Sequence, residues 1–200
     1  MARLNNVSLF GIVAEDPIII MDDATGSYKK GQAFLIVASA NRENGISTNV
    51  FYSKPFLYSE DPDIVAEMSN WKKNDLVSAK GVITTLNANK GTICAHCHEK
   101  SSRPGEVSLI TPIYIETRYT GLEEKEATRI LNEKREISNQ VYLLGSLCDD
   151  VNGRKESTIY KDIISQSSYK GIAAYQIAVD RKYYLKQDVP TNRTDYPHII

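Results

Sequence analysis

An all-β architecture, with one short helix and a helical linker, is the fold class this sequence predicts. Three observations predict it. Short apolar runs separated by turn residues fill the first 120 positions; helical spacing is confined to two segments; and three strand-like blocks occur twice in the same order. The blocks are "NNVSLFG" (5–11) with "NQVYLLG" (139–145), "AFLIVASANR" (33–42) with "AAYQIAVDR" (173–181), and "TNVFY" (48–52) with "TDYPHI" (194–199). After the first block each copy turns through an acidic step, "IVAEDP" or "SLCDDV". Two copies of one strand-rich module are expected.

The first copy supplies its elements in order. Strand one is "NNVSLFGIV", strand two is residues 33–42, and strand three opens at "TNVFY". "DPDIVAEMSNWKKND" then reads as a short helix. Asp61 is placed to cap it, Pro62 occupies its first position, and Ile64, Met68 and Trp71 recur at i, i+4 and i+7 on one buried face. Lys72 and Lys73 form a solvent-exposed turn. "LVSAKGVITT" is strand four; after a polar insertion, "VSLITPIYIETR" is strand five. Three strands, a helix and two strands are the order of the OB-fold, a small Greek-key barrel. Residues 1–120 are therefore expected to form an OB-fold domain. The segment 121–138 carries both charge signs at helical spacing and reads as an exposed helical linker, with Leu122, Ile130 and Ile137 as docking points. Residues 139–200 are a second OB-like module that reads as truncated inside its third strand. Another chain completes it, it folds another way, or the sequence is a fragment.

No apolar run reaches membrane-spanning length, and no signal-peptide core precedes the first strand, so a cytoplasmic protein without a membrane partner is expected. Three cysteines without a secretion signal argue against a disulfide framework. No Gly-rich phosphate loop or catalytic constellation appears among His96, His98, His198 and the carboxylates, so an enzyme is not expected. A formal net charge of −1 argues against a strongly basic nucleic-acid-binding surface, although base stacking requires no charge.

"NNVSLFGIVAEDP" resembles the opening of bacterial-type single-stranded DNA-binding proteins. "YQIAVDR" with "TDYPHI" resembles that family's second and third strands, and "KKNDLVSAKGVITT" its Lys-rich turn and fourth strand. The resemblance implies an OB-fold, unpaired DNA as ligand and homo-oligomer formation. It departs at Val50, which stands where the family has a stacking aromatic, in the absence of a visible acidic tail, and in carrying two modules. A divergent relative from a mobile element or phage fits these departures.

Candidate contacts follow from alternation along "NVFYSKPFLYS". Phe51, Ser53 and Leu57 share one face and line a core; Tyr52, Lys54, Phe56 and Tyr58 share the other. Aligned with the family, the second set faces DNA, where rings stack on bases and cations meet phosphates. The competing reading is that these rings cover the barrel or meet a subunit. A bulge at Pro55 would reverse the faces of Phe56 and Tyr58. Arg42 and Arg181 end the second strand of each copy, as phosphate donors or as solvated charges. Lys80 adds a cation to the groove, Trp71 belongs to the core, and Tyr196 matches the family's aromatic step. In "TICAHCHEK", Cys94, Cys97 and His98 are candidate ligands for Zn²⁺; otherwise they are reduced thiols and polar loop residues. The Cys-x-x-Cys-His string also fits haem attachment, which the missing export signal disfavours. Single-stranded DNA binding in replication, repair or mobile-element transfer is the leading expectation. The alternative is a protein-interaction adaptor in a replication or conjugation complex.

Overall fold

The computed structural model describes residues 4–43, 46–93, 100–148, 175–181, 185 and 194–199. Its elements are β1 (Leu4–Val13), β2 (Ile18–Met21), β3 (Tyr28–Glu43), β4 (Ile46–Ser53), β5 (Phe56–Ser59), α1 (Pro62–Met68), β6 (Leu76–Ile93) and β7 (Lys100–Tyr119). They continue with α2 (Glu124–Glu133), α3 (Arg135–Ser138), β8 (Asn139–Leu144), β9 (Ser146–Leu147), β10 (Tyr175–Asp180), β11 (Thr194–Asp195) and β12 (His198–Ile199). No helix among the described residues is long and apolar enough to cross a membrane.

A closed circuit of pairings makes the barrel. β1 pairs antiparallel with both β3 and β6, β6 with β7, and β3 with β5. The parallel contact Leu57↔Ile110 between β5 and β7 closes the ring. This is an all-β OB-fold. Alternation along each strand sends one set of side chains inward. Val7, Leu9, Val13, Leu35, Val37, Leu57, Val77 and Ala79 form the core with Met68 and Trp71. Fully burying each larger apolar side chain contributes about 1.5–3 kcal/mol. Asn5 closes one gap in the ladder: its side-chain amide donates to the Ile83 carbonyl and accepts from the Ile83 N–H, both at 2.8 Å.

Helix α1 forms as its sequence dictates. The Asp61 side chain accepts from the Asp63 N–H, Pro62 opens the first turn, and Val65 and Met68 are buried. Trp71 is fully buried, its indole N–H donating to Thr117 Oγ1 at 3.0 Å. Besides the additional strand β2, which pairs with β3, two elements differ from expectation. The polar insertion is largely strand, because β6 and β7 stay paired from Leu76↔Tyr119 to Ile93↔Lys100. Backbone pairing there proceeds without the apolar alternation by which strands are recognised in sequence. The linker is also more than an exposed connector. Ala127, Ile130 and Leu131 of α2 bury against Phe10, Ile12, Ala38 and Leu76 on the outer wall of the barrel. Its few apolar positions fall on one face, while its charges face water.

Ser138, at the end of α3, fastens this helical segment. Its buried hydroxyl accepts from the Ala38 N–H at 2.9 Å and donates to the Phe10 carbonyl at 2.5 Å, bridging β3 and β1. Ser138→Ala strands both buried backbone groups and is expected to cost about 1–3 kcal/mol, measured by urea unfolding. A change within about 0.5 kcal/mol of wild type would contradict the bridge.

The chain then returns to the barrel. β8 pairs antiparallel with β1, with Val7↔Val141 at the centre and Leu4↔Leu144 and Leu9↔Asn139 toward the ends. The matched blocks 5–11 and 139–145 therefore lie across from one another about a local two-fold centre. Both block-ending glycines make close approaches to backbone. A Cβ on Gly11 would stand 2.8 Å from the Ile36 carbonyl oxygen, and one on Gly145 would stand 2.3 Å from that of Ala178.

Hydrogen bonding corrects the third block match. The Leu35 N–H donates to the Pro55 carbonyl, and the Ile177 N–H donates to that of Pro197. Val37 pairs with Ser53 as Val179 pairs with Asp195. "SKPFL" thus corresponds to "DYPHI", so that Ser53 rather than Asn49 answers to Asp195. On this correspondence Tyr196 answers to Lys54, and Arg181 answers to Ser39 rather than Arg42.

Candidate nucleic-acid interface

Across Pro55 the outward face of β3, β4 and β5 is built by one continuous register. Ala38↔Tyr52 and Val37↔Ser53 lie before Pro55; Phe34↔Phe56, Ala33↔Leu57 and Gln32↔Tyr58 lie beyond it. Each pair sums to the same value, so Pro55 interrupts the strand without inserting a residue. Leu57 points into the core, whereas Phe56 and Tyr58 stay on the Tyr52 side. The bulge considered at Pro55 is absent. Phe51, expected inside with Leu57, is 56% exposed, and Ser53 is exposed too. They belong to β4, which among the described residues pairs with β3 alone.

Six aromatic or cationic side chains lie along this face. The rings of Phe34 and Phe56 stand 4.9 Å apart, tilted by 39°. Lys54 Nζ lies 4.9 Å from the centre of the Phe34 ring and 3.4 Å from Glu15 Oε1. Tyr58 is half-buried and donates to Glu60, while Lys30 Nζ is 3.3 Å from the same carboxylate. Burial foremost, then the Glu60 hydrogen bond, holds the Tyr58 phenol above its ordinary pKa. Hydrogen bonding to Tyr58 and Glu60 holds the Lys30 ammonium above its own. Tyr52 is 50% exposed, and its hydroxyl donates to Asn132 Oδ1 of α2 at 2.6 Å. Phe34 went unnoticed in the sequence because "AFLIV" is apolar at both parities.

Other candidates fall elsewhere. Lys80 is exposed on the outer wall, in a shallow concavity of about 510 Å³ lined in part by Ser8, Ser78, Tyr114, Glu116 and Arg118. The docked α2 lies between this concavity and the aromatic strip. Arg42 is in β3, beside a register shift at Asn41/Arg42. Arg181 does not meet the expectation of a surface phosphate donor. It is 5% exposed, and its Nε lies 2.5 Å from Asp195 Oδ2. Tyr196 is 37% exposed, while its backbone N–H donates to Thr85 Oγ1 at 3.0 Å. Cys94, Cys97 and His98 lie outside the described residues. Among those described, no three His, Cys, Asp or Glu side chains gather as a metal site.

The barrel is an OB-fold of the kind found in single-stranded DNA-binding proteins. Two solved structures of the single-stranded DNA binding protein from Thermus aquaticus share it. The wild-type protein is 15% identical with a TM-score of 0.51, over 99% of this chain and 73% of that one. A deletion mutant of the same protein is 16% identical, also at 0.51, over 99% and 75%. A Plasmodium falciparum SSB solved with ssDNA is 16% identical at 0.45, over 60% of this chain and 98% of that one. No protein-family model and no curated protein matches the chain.

Proposed function

We propose that the outer strip of Tyr52, Lys54, Phe34, Phe56 and Tyr58 binds unpaired DNA with little sequence preference. The observation that carries this reading is the unbroken register across Pro55, which keeps the rings and Lys54 on one exposed wall of the barrel. Bases rest on the rings, and Lys54 faces the phosphates. The protein acts as a binding protein wherever replication, repair or mobile-element transfer exposes single strands. The Thermus aquaticus protein is named for single-stranded DNA binding, and the likeness of fold supports the same ligand class here. Arg181 is left out of the site. Lys80 and Tyr196 belong to other surfaces.

Residues 139–200 are read as a second OB-like module after an OB domain over 1–120 and a linker over 121–138. The two-fold register about Val7 and Val141 and the matching Pro55 and Pro197 hydrogen bonds support this duplication. β8 pairs with β1 within one chain, and self-association of the protein would build on that paired unit.

Stacking contributes about 1–3 kcal/mol per base by alanine substitution. Tyr52→Ala with Phe56→Ala is therefore expected to weaken binding of fluorescent oligothymidine by about 30-fold or more, measured by anisotropy with duplex DNA as control. Wild-type affinity should fall as salt rises. Binding to neither oligomer at low salt would favour the adaptor reading, and unchanged affinity in the double variant would remove the strip from the site.

A further inference from the structure

The ring of Tyr52 is half exposed yet held at its tip. Its strand, β4, has one neighbour among the described residues, and the residue across from it is Ala38, whose methyl group offers a ring little lateral support. An exposed side chain in such a place exchanges rotamers on the picosecond to nanosecond scale. The phenol nevertheless donates to Asn132 Oδ1 at 2.6 Å. Asn132 is a fixed acceptor. It lies in the last turn of α2, whose Ala127, Ile130 and Leu131 are buried against the barrel wall. The end of the same helical segment is fastened by the Ser138 bridge between Phe10 and Ala38. Among the described residues, no strand of the barrel presents this contact to Tyr52. It comes from the segment joining the two halves of the chain.

We propose that Asn132 is a positioning residue for nucleic-acid binding: it holds Tyr52 upright beside the strip, so that the linker helix pre-organises the stacking surface. The proposal rests on the stacking reading of Tyr52. Immobilising a rotamer-rich side chain beforehand removes that cost from the binding step. The hydroxyl thereby raises affinity without touching the base.

A double-mutant cycle tests this, using the full chain, oligothymidine anisotropy and thermal melting. Tyr52→Phe keeps the ring and removes the donor; Asn132→Ala keeps the donor and removes the acceptor. Each is expected to lower affinity by about two- to ten-fold, and the double variant by no more than either alone. In an Asn132→Asp background, which retains an acceptor at that position, Tyr52→Phe is expected to cost affinity again. Melting temperatures should remain near wild type throughout. Wild-type affinity for Tyr52→Phe while Tyr52→Ala binds weakly would overturn the positioning role and leave the stacking reading standing. Additive losses, or losses tracking a lowered melting temperature, would also overturn it. Wild-type affinity for Tyr52→Ala would instead remove Tyr52 from the stacking site, and the inference with it.

Discussion

Asp195→Ala is expected to lower the unfolding free energy by about 3–5 kcal/mol, because it leaves a buried guanidinium without its carboxylate. Arg181 and Asp195 are 5% and 2% exposed, and the Nε–Oδ2 distance is 2.5 Å. The same carboxylate accepts from the Thr85 N–H at 3.0 Å through its other oxygen, while the adjacent Tyr196 N–H reaches Thr85 Oγ1. One side chain therefore neutralises Arg181 beside β10 and ties β11 to β6 of the barrel. For a chain of this size the loss corresponds to a melting temperature about 6–20 °C lower. Hydrogen exchange should locate the damage, with protection lost first in β10 and β11 while the core strands β1 and β6 remain protected. A paired Arg181→Met/Asp195→Leu variant removes both charges and is expected to lie closer to wild type than Asp195→Ala does. If Asp195→Ala melted within about 2 °C of wild type, the ion pair would not fasten this region.

The contrast between Arg181 and α1 shows what the sequence could convey. Helix α1 was legible because its signals are local: a capping Asp61, Pro62 in the first turn, and apolar residues at helical intervals. Arg181 was not legible. An arginine after an apolar strand reads alike whether it meets water, phosphate or a buried carboxylate, and Asp195 lies fourteen residues away along the chain. Inward parity in the barrel was readable in part: Val77, Ala79 and Leu57 point into the core as their alternation indicates, whereas Phe51 and Ser53, read onto the same side, are exposed. Phe34 escaped because both faces of β3 are apolar. The inner residues Leu35 and Val37 fill the core, and the outer Ile36 and Ala38 lie under α2. That covering helix was itself underread, since its three buried side chains are outnumbered by charges. Continuity of register through Pro55 depends on pairing with β3, which no local pattern reports.

Gly81→Ala is the second large effect expected, a loss of about 3 kcal/mol or more from overpacking against backbone. Gly81 lies in β6, opposite Val7 on one side and Pro112 on the other. Pro112 has no N–H to donate, and the β6–β7 ladder shifts there: Lys80 pairs with Tyr114 but Gly81 with Pro112, leaving Ile113 as the extra residue. The shift changes which parity of β7 faces inward, so that Ile115 on one side of it and Ile110 on the other both reach the core. It also brings the β7 backbone down onto β6. A Cβ on Gly81 would stand 2.2 Å from the Thr111 carbonyl oxygen and 2.9 Å from Pro112 Cα. A flexible side-chain tip could swing aside, but a paired backbone in a closed barrel moves only with its neighbours. Gly26 provides the comparison. It has a positive φ of 65° but nothing within 4 Å of an added Cβ, so Gly26→Ala should cost only about 1–2 kcal/mol of local strain. Denaturant unfolding of the two variants measures the difference. Equal midpoints would mean that β7 yields at Pro112, and that the close approach at Gly81 does not set the shape of the barrel wall.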